Sequence, residues 1–366
     1  MTMMPPWNRF LRLLSEELRH FTTIHPSDRS WQMPLAAALA SGLPLLVGCS
    51  FDRLDYGMVS SLGGMVFLYL PPTPLYHRMV LLMASAFAMI ACYTLGMMSH
   101  LIPVLMMPVL VFIAILTTML CRYYRVGVPG SLFFIMAASI GAYSPVELLQ
   151  IPLMVGLLSM GALLASLIAF FYSLEMLRLR PAAPIEPLPP ASFDFVIFDS
   201  VVIGAFVGAS LALAQVLHLE KAYWVPVSCL AVIQGTSLRA VWNRQIHRIV
   251  GTGLGMLLAW GLLSLPLNNW GIAVTMMLLT FAIETAIVRH YAFAVVLITP
   301  LTILLAEAAT MGQGSAAELI QSRFIDTCLG SFVGLLGGIC IHSPRFRAVT
   351  GKYLRRLIPT RFQPPA

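Results

Sequence analysis

Charge is scarce in this sequence: of 366 residues, only 10% are Asp, Glu, Lys or Arg, against about a quarter in ordinary soluble domains. A soluble fold of this size needs a charged surface, so the scarcity excludes one. Metal-binding cysteine patterns are missing too. Cys49, Cys92, Cys121, Cys229, Cys328 and Cys340 lie in or at the ends of apolar runs, without a CxxC or Cys/His spacing, and read as small packing residues. There is no HExxH, no Ser/His/Asp constellation and no paired catalytic carboxylates, and the loops are too short to build a soluble active site. An enzyme is not expected. Nor is a cofactor: Gly251-Thr-Gly-Leu-Gly255 follows no strand and precedes no Lys-Ser/Thr. Its spacing, like that of Gly330, Gly334 and Gly338, is the close-packing pattern of membrane helices. The first 30 residues hold Arg9, Arg12, Arg19 and Arg29 and no apolar core of a cleavable signal, so the N-terminus is expected to stay inside.

What is present is apolar chain, 59% of the residues, with a mean hydropathy of +0.86. At about 20 residues per membrane span this leaves room for about ten to twelve crossings. Six runs lie at about 32–50, 56–72, 79–97, 101–120, 127–142 and 148–174, and six more at about 195–218, 222–237, 249–265, 270–288, 291–308 and 320–342. The reading is twelve spans. Residues 1–30 form an N-terminal segment in which Trp7, Phe10, Leu11, Leu14, Leu18 and Phe21 share one helical face. That face suits an amphipathic helix at the membrane surface, or a solvated helix capping the bundle. Residues 31–174 and 195–342 are the two membrane halves. Between them, 175–194 contains PAAPIEPLPP, which cannot continue a helix and reads as an extended linker. Residues 343–366 are a basic tail.

Position carries more information than the net charge of +7. With both ends inside, 19 of the 22 Lys and Arg fall on inner segments, and only Arg53, Lys221 and Arg323 on the outer side, as the positive-inside rule requires. Acidic residues such as Asp52, Asp55, Glu147 and Glu220 lie in or beside outer loops. In a membrane protein this excess is an address, and nucleic acid is not the expected partner. The halves also resemble each other. Val59-Ser60-Ser61-Leu62 matches Val227-Ser228-Cys229-Leu230, His77-Arg78 matches His247-Arg248, and Arg122-Tyr123-Tyr124 matches Arg289-His290-Tyr291, in order and at nearly one offset. The expected fold is therefore an all-α polytopic membrane protein of about 12 transmembrane helices, built as two parallel six-helix repeats with cytoplasmic termini.

Broken helices at membrane depth are tolerated where they line a cavity. The second span of each half qualifies, through Gly63-Gly64 before Pro71-Pro72 and through Pro226 after Tyr223-Trp224. Gly and Pro are also simply common in membrane helices. Ionisable groups within the spans are the sharper signal. Glu284 has no charged neighbour within a turn of its own helix and suits a proton carrier or a satisfied structural carboxyl. Arg323 and Asp326 share a helix face, either as a structural ion pair or as an anion site whose strength Asp326 sets.

The run YWVPVSCLAVIQGTSLRAVWNRQIHRIVGTGLG, followed by RFIDTCLGSFVG, resembles the fusaric acid resistance family, which includes aromatic carboxylic acid efflux permeases of the bacterial inner membrane. The matching pieces are Tyr223-Trp224 with Pro226, Arg248 with Gly251-Thr252 and Gly255, and Arg323 with Asp326-Thr327 and Gly330. Longer members carry a large cytoplasmic domain where this chain has only its linker. The resemblance implies a multi-pass inner-membrane exporter of hydrophobic organic anions, and Glu284 within a span adds the expectation of proton coupling. Arg323, Arg248 and Arg289 would draw the carboxylate, Tyr223 and Trp224 contact the ring, and Glu284 and Asp326 carry protons. A periplasmic adaptor and an outer-membrane channel are the implied partners beside the lipid bilayer. A passive anion channel and a non-transporting assembly subunit are the alternatives; the oligomeric state is not fixed.

Overall fold

The computed structural model describes residues 26, 29–144, 146–188, 192–310 and 316–357. The amphipathic pattern over residues 7–21 lies outside them. Each apolar run contains one helix: α1 Gln32–Ser50, α2 Leu54–Gly64, α3 Leu75–His100, α4 Pro103–Tyr123, α5 Leu132–Ala142, α6 Ile151–Leu179, α7 Asp199–Val216, α8 Trp224–Ile233, α9 Leu238–Leu263, α10 Asn269–Ala286, α11 Tyr291–Thr310 and α12 Ala316–His342. A further helix, α13, spans Pro344–Leu357 within the basic tail. There is no strand among the described residues. The chain is an all-helical membrane protein, and among the described residues 8 helical segments are long and apolar enough to cross a bilayer.

Local sequence explains the boundaries. Pro103 opens α4 at a position where its missing N–H costs nothing. Ser237 and Asn268 cap α9 and α10, their side-chain oxygens accepting from the Ala240 and Gly271 amides at 3.1 and 2.8 Å. The linker is shorter than the sequence suggests. α6 runs on to Leu179, because Glu175-Met-Leu-Arg178 are good helix formers, and a π-helical turn, Phe193–Phe198, leads into α7.

α2, α5 and α8 are too short to cross a bilayer alone, at 11, 11 and 10 residues. They are held inside the bundle, with every residue of α8 buried. The long helices turn large apolar side chains outward, among them Val80, Phe87, Val104, Met160, Phe171, Leu257 and Leu278. In water so large an apolar surface would aggregate; against lipid tails it is the surface required.

Helix pairing follows one pattern in both halves. α2 packs on α6 and α8 on α12; α3 packs on α5 and α9 on α11; α3 also meets α6, as α9 meets α12. The halves interlock through α1 against α10 and α7 against α4. Backbones meet at glycines. A side chain on Gly330 would overlap the Val225 carbonyl oxygen, and one on Gly334 would sit 2.5 Å from that of Cys229, so α12 lies directly on α8. Gly251 and Gly255 bring α9 against α11, and Gly338 faces Val241.

Candidate functional site

The two halves surround a cavity of about 1630 Å³, lined by residues of all twelve helices α1 to α12 and of the α4–α5 connection. Residues well separated in sequence meet here. Arg323 is 5% exposed. Its Nε donates to Thr302 Oγ1 at 3.1 Å, and its guanidinium carbon stands 4.3 Å from the centre of the Trp224 ring, a cation–π arrangement. Arg248, 6% exposed, donates from Nη2 to Ser228 Oγ at 3.1 Å. The Tyr223 ring lies 5.2 Å from that of Trp224. All four line the cavity.

The two guanidinium groups are incompletely bonded. Arg323 Nη1 and Arg248 Nε are buried with no hydrogen-bond partner. Each unpaired polar group costs about 1–3 kcal/mol, and charged groups more. Asp326, one turn beyond Arg323, is 1% exposed and its Oδ2 also lacks a partner. The expected Arg323–Asp326 ion pair is not among those the described residues make; Arg323 turns to Thr302 and Trp224 instead.

Glu284 sits at the C-terminal end of α10 rather than at mid-membrane. It has a charged neighbour that its own helix does not supply: Arg29, just before α1, donates Nη1 to Glu284 Oε2 and to the Glu284 carbonyl, each at 3.1 Å. A cation at a helix C-terminus is favourable in its own right. Across the other seam, Asp199 at the start of α7 accepts from Arg122 of α4 at 2.6 Å and from Arg347 of α13 at 2.8 Å. Arg29, Glu284, Arg122 and Asp199 all border the cavity at the end that carries the linker.

The remaining candidates are placed differently. Arg289 is exposed in the turn after α10 and does not border the cavity. Helix α2 does stop at Gly64, giving way to a 3-10 turn, Met65–Tyr69, and Gly64 borders the cavity. Gly63 instead seats α2 against Leu158 and Ala162 of α6. Pro226 lies in the first turn of α8, where no helical amide bond is lost, so it starts this helix rather than breaking it. Thr302 and Asp199 carry no signal of a site in the sequence; Ser228 stands out there only as part of the repeat, and Arg29 only as part of the basic N-terminal segment.

These residues fall in a region with known relatives. Residues 202–337 match the family described as fusaric acid resistance protein-like. The match covers somewhat more than a third of the chain, from within α7 to within α12. It contains Tyr223, Trp224, Arg248, Glu284 and Arg323, which line the cavity, and Asp326, one turn beyond Arg323. The chain is also 32% identical, over 149 residues, to the uncharacterized membrane protein YvaC of Bacillus subtilis strain 168. That alignment covers 40% of this chain and 24% of YvaC, so the chain spans about a quarter of that relative's length. No solved structure matches.

Proposed function

We propose that this protein is an inner-membrane efflux carrier for hydrophobic organic anions, aromatic carboxylates first among them. The observation that carries the reading is the pair of arginines, Arg248 and Arg323, that border a cavity shared by both halves, each with a buried N–H group that has no hydrogen-bond partner. A carboxylate would accept from them with charge-assisted geometry, and its ring would lie on the largely apolar cavity wall beside Trp224 and Tyr223. The family description and a cavity of this size agree with such a solute.

Finer parts of the proposal have their own support. Twelve crossings in two parallel repeats, with both ends cytoplasmic, agree with the charge asymmetry and with the helix pairings common to both halves. A potential negative inside drives anions outward. Proton coupling would fall to Asp326, beside the anion site, and to Glu284 at the linker end. A periplasmic adaptor and an outer-membrane channel would find a small docking surface, since the connections on that side are short.

The test is efflux of a benzoate-type acid from proteoliposomes. Arg323→Gln and Arg248→Gln should each raise KM by about 10- to 100-fold, the loss of one charge-assisted hydrogen bond, while the proteins still insert. Unchanged KM in both variants overturns the anion site. Steady currents in planar bilayers without a pH gradient would replace the carrier with a channel.

A further inference from the structure

We propose that α13 docks on the acidic lipid headgroups of the leaflet at the linker end, through Arg345, Val349, Lys352, Tyr353 and Arg356. Only Ser343 separates α13 from α12, so α13 begins where a membrane-crossing helix leaves the hydrocarbon. Its sequence, PRFRAVTGKYLRRL, holds five basic residues and no acidic one.

The helix has two faces. One faces the protein: Phe346 packs on Phe198 with ring centres 6.4 Å apart, Arg347 bonds Asp199, and Leu354 packs against the core. The other face is exposed. Residues 345, 349, 352, 353 and 356 fall on one stripe at helical spacing. Val349 and Tyr353 on it are 60% and 63% exposed, and Arg345, Lys352 and Arg356 are exposed beside them and make no ion pair among the described residues. An apolar stripe rimmed by cations matches a boundary that is greasy and anionic at once, which is the acidic headgroup layer. A second copy of α13 would oppose like charges. Because Arg347 belongs to the same helix, docking would also hold the Asp199 cluster in place.

The experiment is hydrogen exchange on the full chain in nanodiscs of phosphatidylcholine alone and with about 30% phosphatidylglycerol. Three cations at about fivefold each near an acidic surface should slow exchange over residues 344–357 by about 100-fold in the acidic discs, and raising the salt on the natural chain should reverse it. The R345Q/K352Q/R356Q variant should lose the difference while α1–α12 exchange as before. Equal exchange in both lipids overturns the proposal, as does slowing that persists in the triple variant. Protection that follows protein concentration instead of lipid charge points to a protein partner and also overturns it.

Discussion

Asp199→Asn is expected to cost about 3 kcal/mol of stability. The carboxylate is 6% exposed and receives two short charge-assisted bonds, at 2.6 Å from Arg122 and 2.8 Å from Arg347. Breaking a buried pair by removing one partner costs about 3–5 kcal/mol, because the other charge is left uncompensated. Here the arginines keep 19% and 31% of their side-chain surface in solvent, and Asn retains one acceptor oxygen, so the lower end applies. The control lies within the same molecule. Asp55 pairs with Arg53 at 2.9 Å, but those side chains are 35% and 48% exposed, and Asp55→Asn should be nearly silent. Reversible unfolding in mixed micelles measures both, and a double-mutant cycle of D199N with R347Q should show coupling above about 1 kcal/mol. If D199N is as mild as D55N, or the cycle shows no coupling, Asp199 is not the clamp between α4, α7 and α13.

Three further outcomes follow from the packing and the site. Gly330→Ala should destabilise strongly, since its Cβ would overlap the Val225 carbonyl, whereas Gly253→Ala, with open space around it, should gain a few tenths to about 1 kcal/mol from helix propensity; thermal unfolding of the two variants compares them. Trp224→Phe weakens the ring under Arg323 and should raise transport KM by about fivefold with little change in unfolding. Glu284→Gln should insert normally yet lose the pH dependence of export; Arg29→Gln, which strips Glu284 of its partner, should alter the pH profile too. Full pH dependence in E284Q assigns the proton elsewhere, with Asp326→Asn as the next variant to assay.

The helical class and the position of each helix were legible because lipid demands uninterrupted apolar runs and internal backbone bonding. The glycine spacings pointed to helix packing for the same reason: backbone approach is local chemistry that sequence spacing encodes. Pairings across the fold were not legible. Arg29 and Glu284 are 255 residues apart, and Arg122, Asp199 and Arg347 come from three helices. Spacing reveals only neighbours on the same helix, so in the sequence Glu284 looks solitary and Arg122 looks like a topology marker. Arg323 and Asp326 show the opposite error: spacing put them on one face, but Thr302 and Trp224 from other elements offered Arg323 better partners.

The matched positions of the two halves differ in how their arginines are bonded. His77-Arg78 and His247-Arg248 correspond in sequence, and both arginines are 6% exposed. Arg78 donates Nε to the Thr73 carbonyl at 2.5 Å and does not border the cavity. Arg248, which borders the cavity, reaches the Ser228 hydroxyl and leaves its own Nε buried without a partner. The same residue is thus satisfied by backbone in one half and held in reserve in the other. Arg323 deepens the difference, because the corresponding stretch of α6 around Met154 and Leu157 has no charge. On the proposed function, the second half, which holds the family match over residues 202–337, would bind the anion through Arg248, Arg323 and Trp224, and the first half would support it by packing.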